Sequence, residues 1–272
     1  MSFMILEDFG CLLHDNIRSR AYLQKLVADD LLPAEVIYTK FVASAPQHKA
    51  ATPLESEIRR TFRERPYFLY SQSPHAVVPK SSTPPTLFRS FDPDEPIVDT
   101  IARAAIPHQT LSVPDLNDNQ VVEALKASKP QYFLFSGGSI LRRPILNTGK
   151  KLIHIHPGIV PAIKGSMAVE WSILLGHPCG ASAFFMTERI DEGDIIATRI
   201  FPTPGIEFNG IPELYSPHIR SELLLDIIRS YAKVGSFSAT PQHPGEGRTY
   251  YKMHPSLTNL VLWERADRSE GR

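Results

Sequence analysis

The sequence predicts an α/β protein built on one open, mostly parallel sheet with helices on both faces. Compact apolar runs at residues 132–135 and 152–155 are suited to strands that are buried on both sides. They alternate with segments of helical periodicity, such as residues 166–175, and this alternation is typical of parallel sheets. A length of 272 residues suffices for one domain with a sizeable core, with or without a large insertion.

The N-terminal segment predicts a strand, a helix and a second strand. Residues 3–6 form a short apolar run, and apolar residues then recur at helical spacing as far as Leu31. Pro33 is expected to stop this helix, and residues 36–38 are expected to form the next strand.

Residues 43–90 interrupt the pattern with seven prolines in a polar, charged stretch. We expect a Pro-rich insertion here, since a loop of this length usually carries function or mobility rather than core. Regular structure is predicted to resume with a helix at residues 97–106, a strand at 111–113 and a helix at 118–127.

The C-terminal third predicts a strand at residues 181–186 and a helix at 221–234. The remaining tail is rich in proline and glycine. We therefore expect a catalytic domain over residues 1–205 and a short, irregular C-terminal extension over residues 206–272.

Composition narrows the class of partner. Lys+Arg and Asp+Glu both total 29, so the zero net charge argues against the broad cationic surface that binds nucleic acid. Cys11 and Cys179 are too few for a disulfide framework, which favours a reducing, cytoplasmic setting. No leader-like N-terminus and no window of ~18 apolar residues are present, so no membrane partner is expected.

His156 and Asp191 are the candidate catalytic pair. A neutral imidazole can accept a proton from an attacking amine and return it, while a carboxylate fixes its tautomer and stabilises its charged form. His156 and the Gly137-Gly138 turn both follow predicted strands, whose carboxyl ends hold the ligands in such sheets. Alone the pair is weak evidence, since the chain has 10 His.

A spaced motif surrounds this pair. It begins with His154-Ile-His156-Pro157-Gly158-Ile-Val-Pro161 and Gly165, and ends with Asp191-Glu-Gly193. It resembles the N-terminal catalytic domain of folate-dependent formyltransferases, whose hallmark is Asn-x-His-Pro-Ser-Leu-Leu-Pro and an Asp-x-Gly about 35 residues after the His. That family includes glycinamide ribonucleotide, methionyl-tRNA and sugar N-formyltransferases. The resemblance covers roughly residues 97–202 and implies a Rossmann-like sheet.

The resemblance implies that His156 handles the proton and stabilises the oxyanion, with Asp191 as its partner through an ordered water. The family Asn, whose amide donates to the formyl oxygen, is replaced by His154; removing one such donor costs ~3 kcal/mol. His154 could donate through a ring N–H, more strongly if protonated, or it could mark a changed or lost reaction. Gly158 stands where the family has Ser, and its lack of a side chain would let a substrate backbone approach the site more closely.

The resemblance also implies formyl-tetrahydrofolate as the co-substrate that donates the formyl group. The family binds its pterin mainly through backbone groups of a turn and of the loop before the catalytic Asp. The corresponding candidate cofactor-binding residues here are Gly137, Gly138, Ser139, Ile140, Leu141, Thr187 and Ile190.

The acceptor is predicted to be a small-molecule amine, either an aminosugar or a specialised metabolite. Enzymes that act on a ribonucleotide carry a Gly-x-Gly-Ser-Asn turn after the first strand, which cradles the phosphate. The corresponding region of this chain, residues 7–15, contains a single glycine and lacks that turn. The chain also lacks room for the basic barrel of ~100 residues that tRNA enzymes append. Tyr250 and Tyr251 are candidates for shaping an acceptor pocket, although surface packing is the preferred interpretation. A homodimer is left open.

The sequence is also compatible with two other functions. His154, His156 and Asp191 match the ligands of a zinc hydrolase, although the chain after His156 is too short for the barrel of the amidohydrolases. The preferred interpretation holds no metal. The His154 replacement also allows a non-catalytic, folate-binding protein.

Overall fold

The computed structural model describes residues 3–42, 91–204, 214–243, 245–254, 256–258 and 260–261. The predicted insertion at residues 43–90 lies outside the described residues, and so does about a third of the predicted extension at 206–272. The domain boundary at residue 205 therefore stays a prediction.

Nine strands and six helices make up the described chain. The strands are β1 Met4–His14, β2 Leu31–Phe41, β3 His108–Val113, β4 Tyr132–Phe135, β5 Lys151–His156, β6 Ile163–Gly165, β7 Gly180–Phe185, β8 Ile195–Ile200 and β9 Arg248–Tyr250. The helices are α1 Ile17–Ala28, α2 Ile97–Arg103, α3 Asn119–Ala127, α4 Arg143–Leu146, α5 Ala168–Leu174 and α6 Ser216–Val234.

Seven strands form one sheet in the order β3-β2-β1-β4-β5-β7-β8. The strands from β3 to β5 are parallel, and β7 and β8 are antiparallel to their neighbours. A separate parallel pair joins β6 to β9. The predicted mostly parallel α/β sheet is confirmed.

Successive residues of the central strands enter two different cores. Leu134 of β4 and Ile153 of β5 pack into the core that contains buried residues of α1 and α6. Phe133 and Leu152, their neighbours in sequence, pack into the core that contains buried residues of α3. Because alternate strand residues point to opposite faces, helices cover both faces of the sheet.

Two predictions near the N-terminus were wrong. Pro33 does not stop a helix: it lies inside β2, beside Leu6 of β1. Pairing of β2 with β3 begins only at Val36, so the missing N–H of Pro33 interrupts no ladder on that side. β1 continues past Leu6 to His14, with a register irregularity before Gly10, so the acidic residues after Leu6 lie in the strand rather than in a turn.

The described part of the C-terminal segment contains regular structure that the sequence pattern underestimates. α6 begins at Ser216 with Pro217 in its first turn, a position that proline tolerates, and its apolar residues enter the main core. β8 and β9 were not predicted, because one is a half-exposed edge strand and the other has three residues. Among the described residues, no helix has the length and apolar character to span a bilayer.

Candidate active site

A cavity of about 540 Å³ opens at the carboxyl ends of β4 and β5. This volume is ordinary for a small-molecule site. The structure brings every sequence-predicted site residue to its wall: His154, His156, Asp191, Gly137, Gly138, Ser139, Ile140, Leu141, Thr187 and Ile190.

His156, the last residue of β5, is 2% exposed. Its Nε2 lies 3.0 Å from the carbonyl oxygen of Ile163, so Nε2 carries the proton and donates it. Burial lowers the pKa of His156 against the opposing charge of Asp191, which favours the neutral ring. In that ring Nδ1 is a bare acceptor, 3.4 Å from Oδ2 of Asp191.

The Ile163 carbonyl therefore fixes the tautomer of His156. The sequence interpretation had assigned this role to the carboxylate of Asp191. The two facing acceptors, Nδ1 of His156 and Oδ2 of Asp191, can share an N–H donor that lies beside them. A proton that moves to Nδ1 converts the contact into an ion pair. The arrangement suits general base catalysis on an amine.

Backbone contacts hold Asp191 in place. Its φ of 53° is left-handed, and its Oδ2 accepts a hydrogen bond from the Gly165 N–H at 2.7 Å. Nε2 of Gln242 donates to the carbonyls of Asp191 at 3.1 Å and Gly193 at 2.7 Å. A Cβ on Gly193 would lie 1.5 Å from the Phe185 carbonyl oxygen, so the Asp-x-Gly motif needs glycine to pack against β7.

Gly158 makes room for His156 rather than for a substrate backbone. A Cβ at Gly158 would lie 2.8 Å from Nε2 of His156 and 3.0 Å from the Ile163 carbonyl oxygen. The space next to glycine is thus occupied by the hydrogen bond that orients the imidazole. The loop itself is fastened by Ser182, whose Oγ donates to the Gly158 carbonyl at 2.8 Å.

His154 is also neutral. Its Nδ1 lies 3.4 Å from the carbonyl oxygen of Phe135, its pairing partner on β4, so the ring N–H points there. Burial lowers the pKa of His154 well below its usual value. The charges of Arg220, His156 and Arg18 lower it further, in that order of size. The protonated form of His154 is therefore disfavoured, and its free Nε2 is an acceptor, whereas the amide at this position of the family motif is a donor.

The side chain of Asn117 holds the turn after β4 from outside it. Asn117 Nδ2 donates to the Ile140 carbonyl at 3.1 Å, and Asn117 Oδ1 accepts from the Arg142 N–H at 2.7 Å. Together with the loop at residues 187–190, this turn forms one wall of the cavity.

Several cavity residues were missed or misinterpreted from sequence. Tyr250 and Tyr251 line the cavity rather than only packing at the surface, because β9 pairs with β6. Arg18 of α1 and Arg220 of α6 line it too. Arg220 had a detectable signal, since it lies among the buried apolar residues of α6, such as Leu223.

The lowered imidazole pKa values predict acid-sensitive stability. The usual pKa of 6.5 is depressed in the fold for His154, His156, His14 and His218, so below about pH 6.5 the unfolded chain binds more protons. We expect Tm to be steady above about pH 7 and to fall as the pH drops toward about 5. Calorimetry should find a shallower fall for His154→Asn; an equal slope would contradict a depressed His154 pKa.

Comparison with known proteins places this geometry in context. Residues 75–203 match the family model described as Formyl transferase. Methionyl-tRNA formyltransferase of Chloroflexus aurantiacus is 30% identical over 167 residues, which cover 59% of this chain and 53% of the relative. That of Syntrophus aciditrophicus is 26% identical over 168 residues, 60% of this chain and 53% of the relative. The chain thus spans about half the length of these curated relatives.

Two solved structures align with most of this chain. A sugar N-formyltransferase from a Shewanella species aligns with a TM-score of 0.53 and 13% identity, covering 94% of this chain and 87% of that one. A 4-N formyltransferase from Francisella tularensis aligns with a TM-score of 0.51 and 15% identity, covering 96% and 88%. At such identities the likeness concerns the fold.

Proposed function

We propose that this chain, whose residues 75–203 match the family model of formyl transferases, transfers the formyl group of formyl-tetrahydrofolate to the amine of a small molecule. The observation that carries this proposal is the pair of facing acceptors, His156 Nδ1 and Asp191 Oδ2, 3.4 Å apart at the cavity wall. A pair of this kind is what a nucleophilic amine needs when it loses a proton.

The amine nitrogen attacks the formyl carbon, and a new C–N bond forms as the carbonyl becomes a tetrahedral oxyanion. Nδ1 of His156 takes the proton from the amine, and the charge of Asp191 stabilises the resulting imidazolium. The intermediate then collapses, the bond from the formyl carbon to the folate nitrogen breaks, and His156 returns the proton to that nitrogen. The products are a formamide and tetrahydrofolate.

The donor is proposed to bind between the turn at Gly137–Leu141 and the loop at residues 187–190. Both segments line the same cavity as His156, and the Asn117 side chain fixes the turn from behind. The sequence resemblance implies that backbone groups of these two segments recognise the pterin.

The acceptor is proposed to be a small amine, with aminosugars as the first class to test. Two solved structures that align along most of this chain are described as a sugar N-formyltransferase and a 4-N formyltransferase. The zero net charge of the sequence argues against a broad cationic surface for RNA. A cytoplasmic location remains an expectation.

The test is to incubate the protein with formyl-tetrahydrofolate and a panel of amines that includes aminosugar nucleotides and amino acids. Mass spectrometry should detect one formylated amine, together with tetrahydrofolate. Tight folate binding without any formylated product would instead favour the non-catalytic folate-binding protein.

A second candidate, metal-dependent hydrolysis, is favoured by one observation. His154, His156 and Asp191 each offer a ligand atom within 4.8 Å of the others. Each imidazole also directs its other nitrogen to a backbone carbonyl, as metal-binding histidines do. Arg18 and Arg220 oppose a cation, however, since both line this cavity. Stoichiometric zinc in purified protein, with hydrolysis lost on chelation, would overturn the folate proposal.

His154→Asn tests the role of the departure from the family motif. Because the His154 ring N–H is directed to Phe135, the wild type lacks one donor to the oxyanion that an amide would supply. We expect the variant to keep its fold and to raise kcat about tenfold or more. A large loss of kcat at an unchanged Tm would mean that the imidazole itself takes part in the reaction.

A further inference from the structure

Arg220 is a buried cation without a described partner. Its residue is 7% exposed, and neither Nε nor Nη1 has a hydrogen-bond partner among the described residues. A buried guanidinium with unpaired N–H groups is strongly unfavourable unless something of opposite charge reaches it. Arg220 lines the cavity, so a ligand there has access to these donors.

Arg18 brings a second guanidinium to the same cavity. It lies on α1, against the turn after β4, where a Cβ at Gly138 would be 3.2 Å from its Nη2. Burial first and then the charge of Arg220 lower the pKa of Arg18 to about 10, so it is still charged at neutral pH. No described residue forms an ion pair with it.

The carboxylates at the cavity wall are already engaged. Oε1 of Glu188 accepts from Nε of Arg143 at 2.7 Å, and Asp191 contacts Gly165 and His156. The remaining cation of the wall, Arg189, contacts Glu192 at 3.4 Å. Arg18 and Arg220 are therefore the two wall cations without a described carboxylate partner.

We propose that Arg18 and Arg220 together bind an anionic group of the acceptor, a carboxylate or a phosphate, beside the reacting amine. The inference rests on the proposed function and narrows its substrate class to amines that carry a negative charge close to the nitrogen. Both arginines act on His154 electrostatically, which places the anion next to the reaction centre rather than at a remote subsite. Two guanidinium groups that repel each other when the cavity is empty both become paired when the anion binds.

The first test measures anion binding without any formyl transfer. Inorganic phosphate and acetate are titrated by calorimetry into the full-length protein at constant ionic strength. We expect saturable binding of at least one anion, weakened about tenfold or more in Arg220→Gln and in Arg18→Gln. Arg229→Lys is the matched control, since Arg229 lies on the same helix but is exposed and paired with Asp29. No saturable binding, or equal binding in all variants, would overturn the proposal.

Stability distinguishes a ligand-binding arginine from a structural one. Arg220→Met keeps the apolar stem and removes the unpaired buried charge, so its Tm should rise while anion binding is lost. Added phosphate should raise the Tm of the wild type and leave that of the variant unchanged. A fall in Tm for Arg220→Met would mean that Arg220 supports the fold, which contradicts the proposal.

Turnover then separates this proposal from the proposed function. Each amine is tested beside a neutral analogue, a sugar phosphate beside the free sugar and an amino acid beside its amide. The site is supported if the charged member of a pair has the lower KM and if this difference disappears in Arg220→Gln. The pair that shows the difference tells whether the site binds a phosphate or a carboxylate. Equal KM values, an effect on kcat alone, or weaker tetrahydrofolate binding in Arg220→Gln would overturn it. If no amine is formylated yet anions bind as expected, the formyl-transfer function fails and the anion site stands.

Discussion

Exchanging His156 for Gln is expected to lower kcat for formyl transfer about 10²- to 10⁴-fold, the usual contribution of a general base. The Gln amide can still donate to the Ile163 carbonyl, which His156 Nε2 contacts at 3.0 Å, so the loop keeps its anchor. What disappears is Nδ1, the nitrogen that faces Asp191 and takes the proton. The measurement is kcat at saturating donor and acceptor, with folate affinity determined separately by calorimetry.

His177→Gln is the control for this exchange, since His177 is exposed and lies outside the cavity wall. Its kcat should match that of the wild type. If His156→Gln raised KM while leaving kcat intact, the imidazole would be a binding group and the proposed proton transfer would be incorrect.

The second large effect is expected for Asp191→Asn. The carboxylate charge raises the pKa of His156 against the effect of burial, so its removal should lower that pKa further and destabilise the imidazolium. We expect kcat to fall about 10²-fold or more. The acidic limb of the pH profile should move to lower pH, because the ring stays neutral down to a lower pH. An Asn oxygen can still accept from the Gly165 N–H.

The pH profile of kcat/KM is the decisive readout, because a merely structural Asp191 would leave the position of the limb unchanged. Asp194→Asn serves as the matched control: Asp194 is exposed, and its carbonyl rather than its side chain contacts Phe185. A shift of the limb to higher pH in Asp191→Asn would contradict the electrostatic role given to the carboxylate.

Local sequence pattern predicted β4 well, but it predicted β1 and the β6–β9 pair poorly. β4 spans the predicted residues 132–135, because a strand buried on both faces appears as a continuous apolar run. The prediction ended β1 at residue 6, because acidic residues follow where the strand has its register irregularity. The β6–β9 pair joins Gly165 to Tyr250, and no local pattern announces a contact between segments so far apart.

The same distinction holds for the candidate site. The spacing from His156 to Asp191 could be matched from sequence, because one motif contains both. Arg18 and Arg220 lie on helices far apart in sequence, and only the packing of α1 and α6 onto the same face brings them to one cavity. The tautomer of His154 depends on the Phe135 carbonyl across the β4–β5 pairing, so it too required the structure.

The most direct test of the central claim follows an isotopically labelled formyl group from formyl-tetrahydrofolate in a single turnover with the amine panel. The account predicts that the label appears on the nitrogen of an amine in the wild type, and that His156→Gln leaves it on the folate. Label that stays on the folate with every amine, or that transfers equally well in His156→Gln, would contradict a formyltransferase site built on His156 and Asp191.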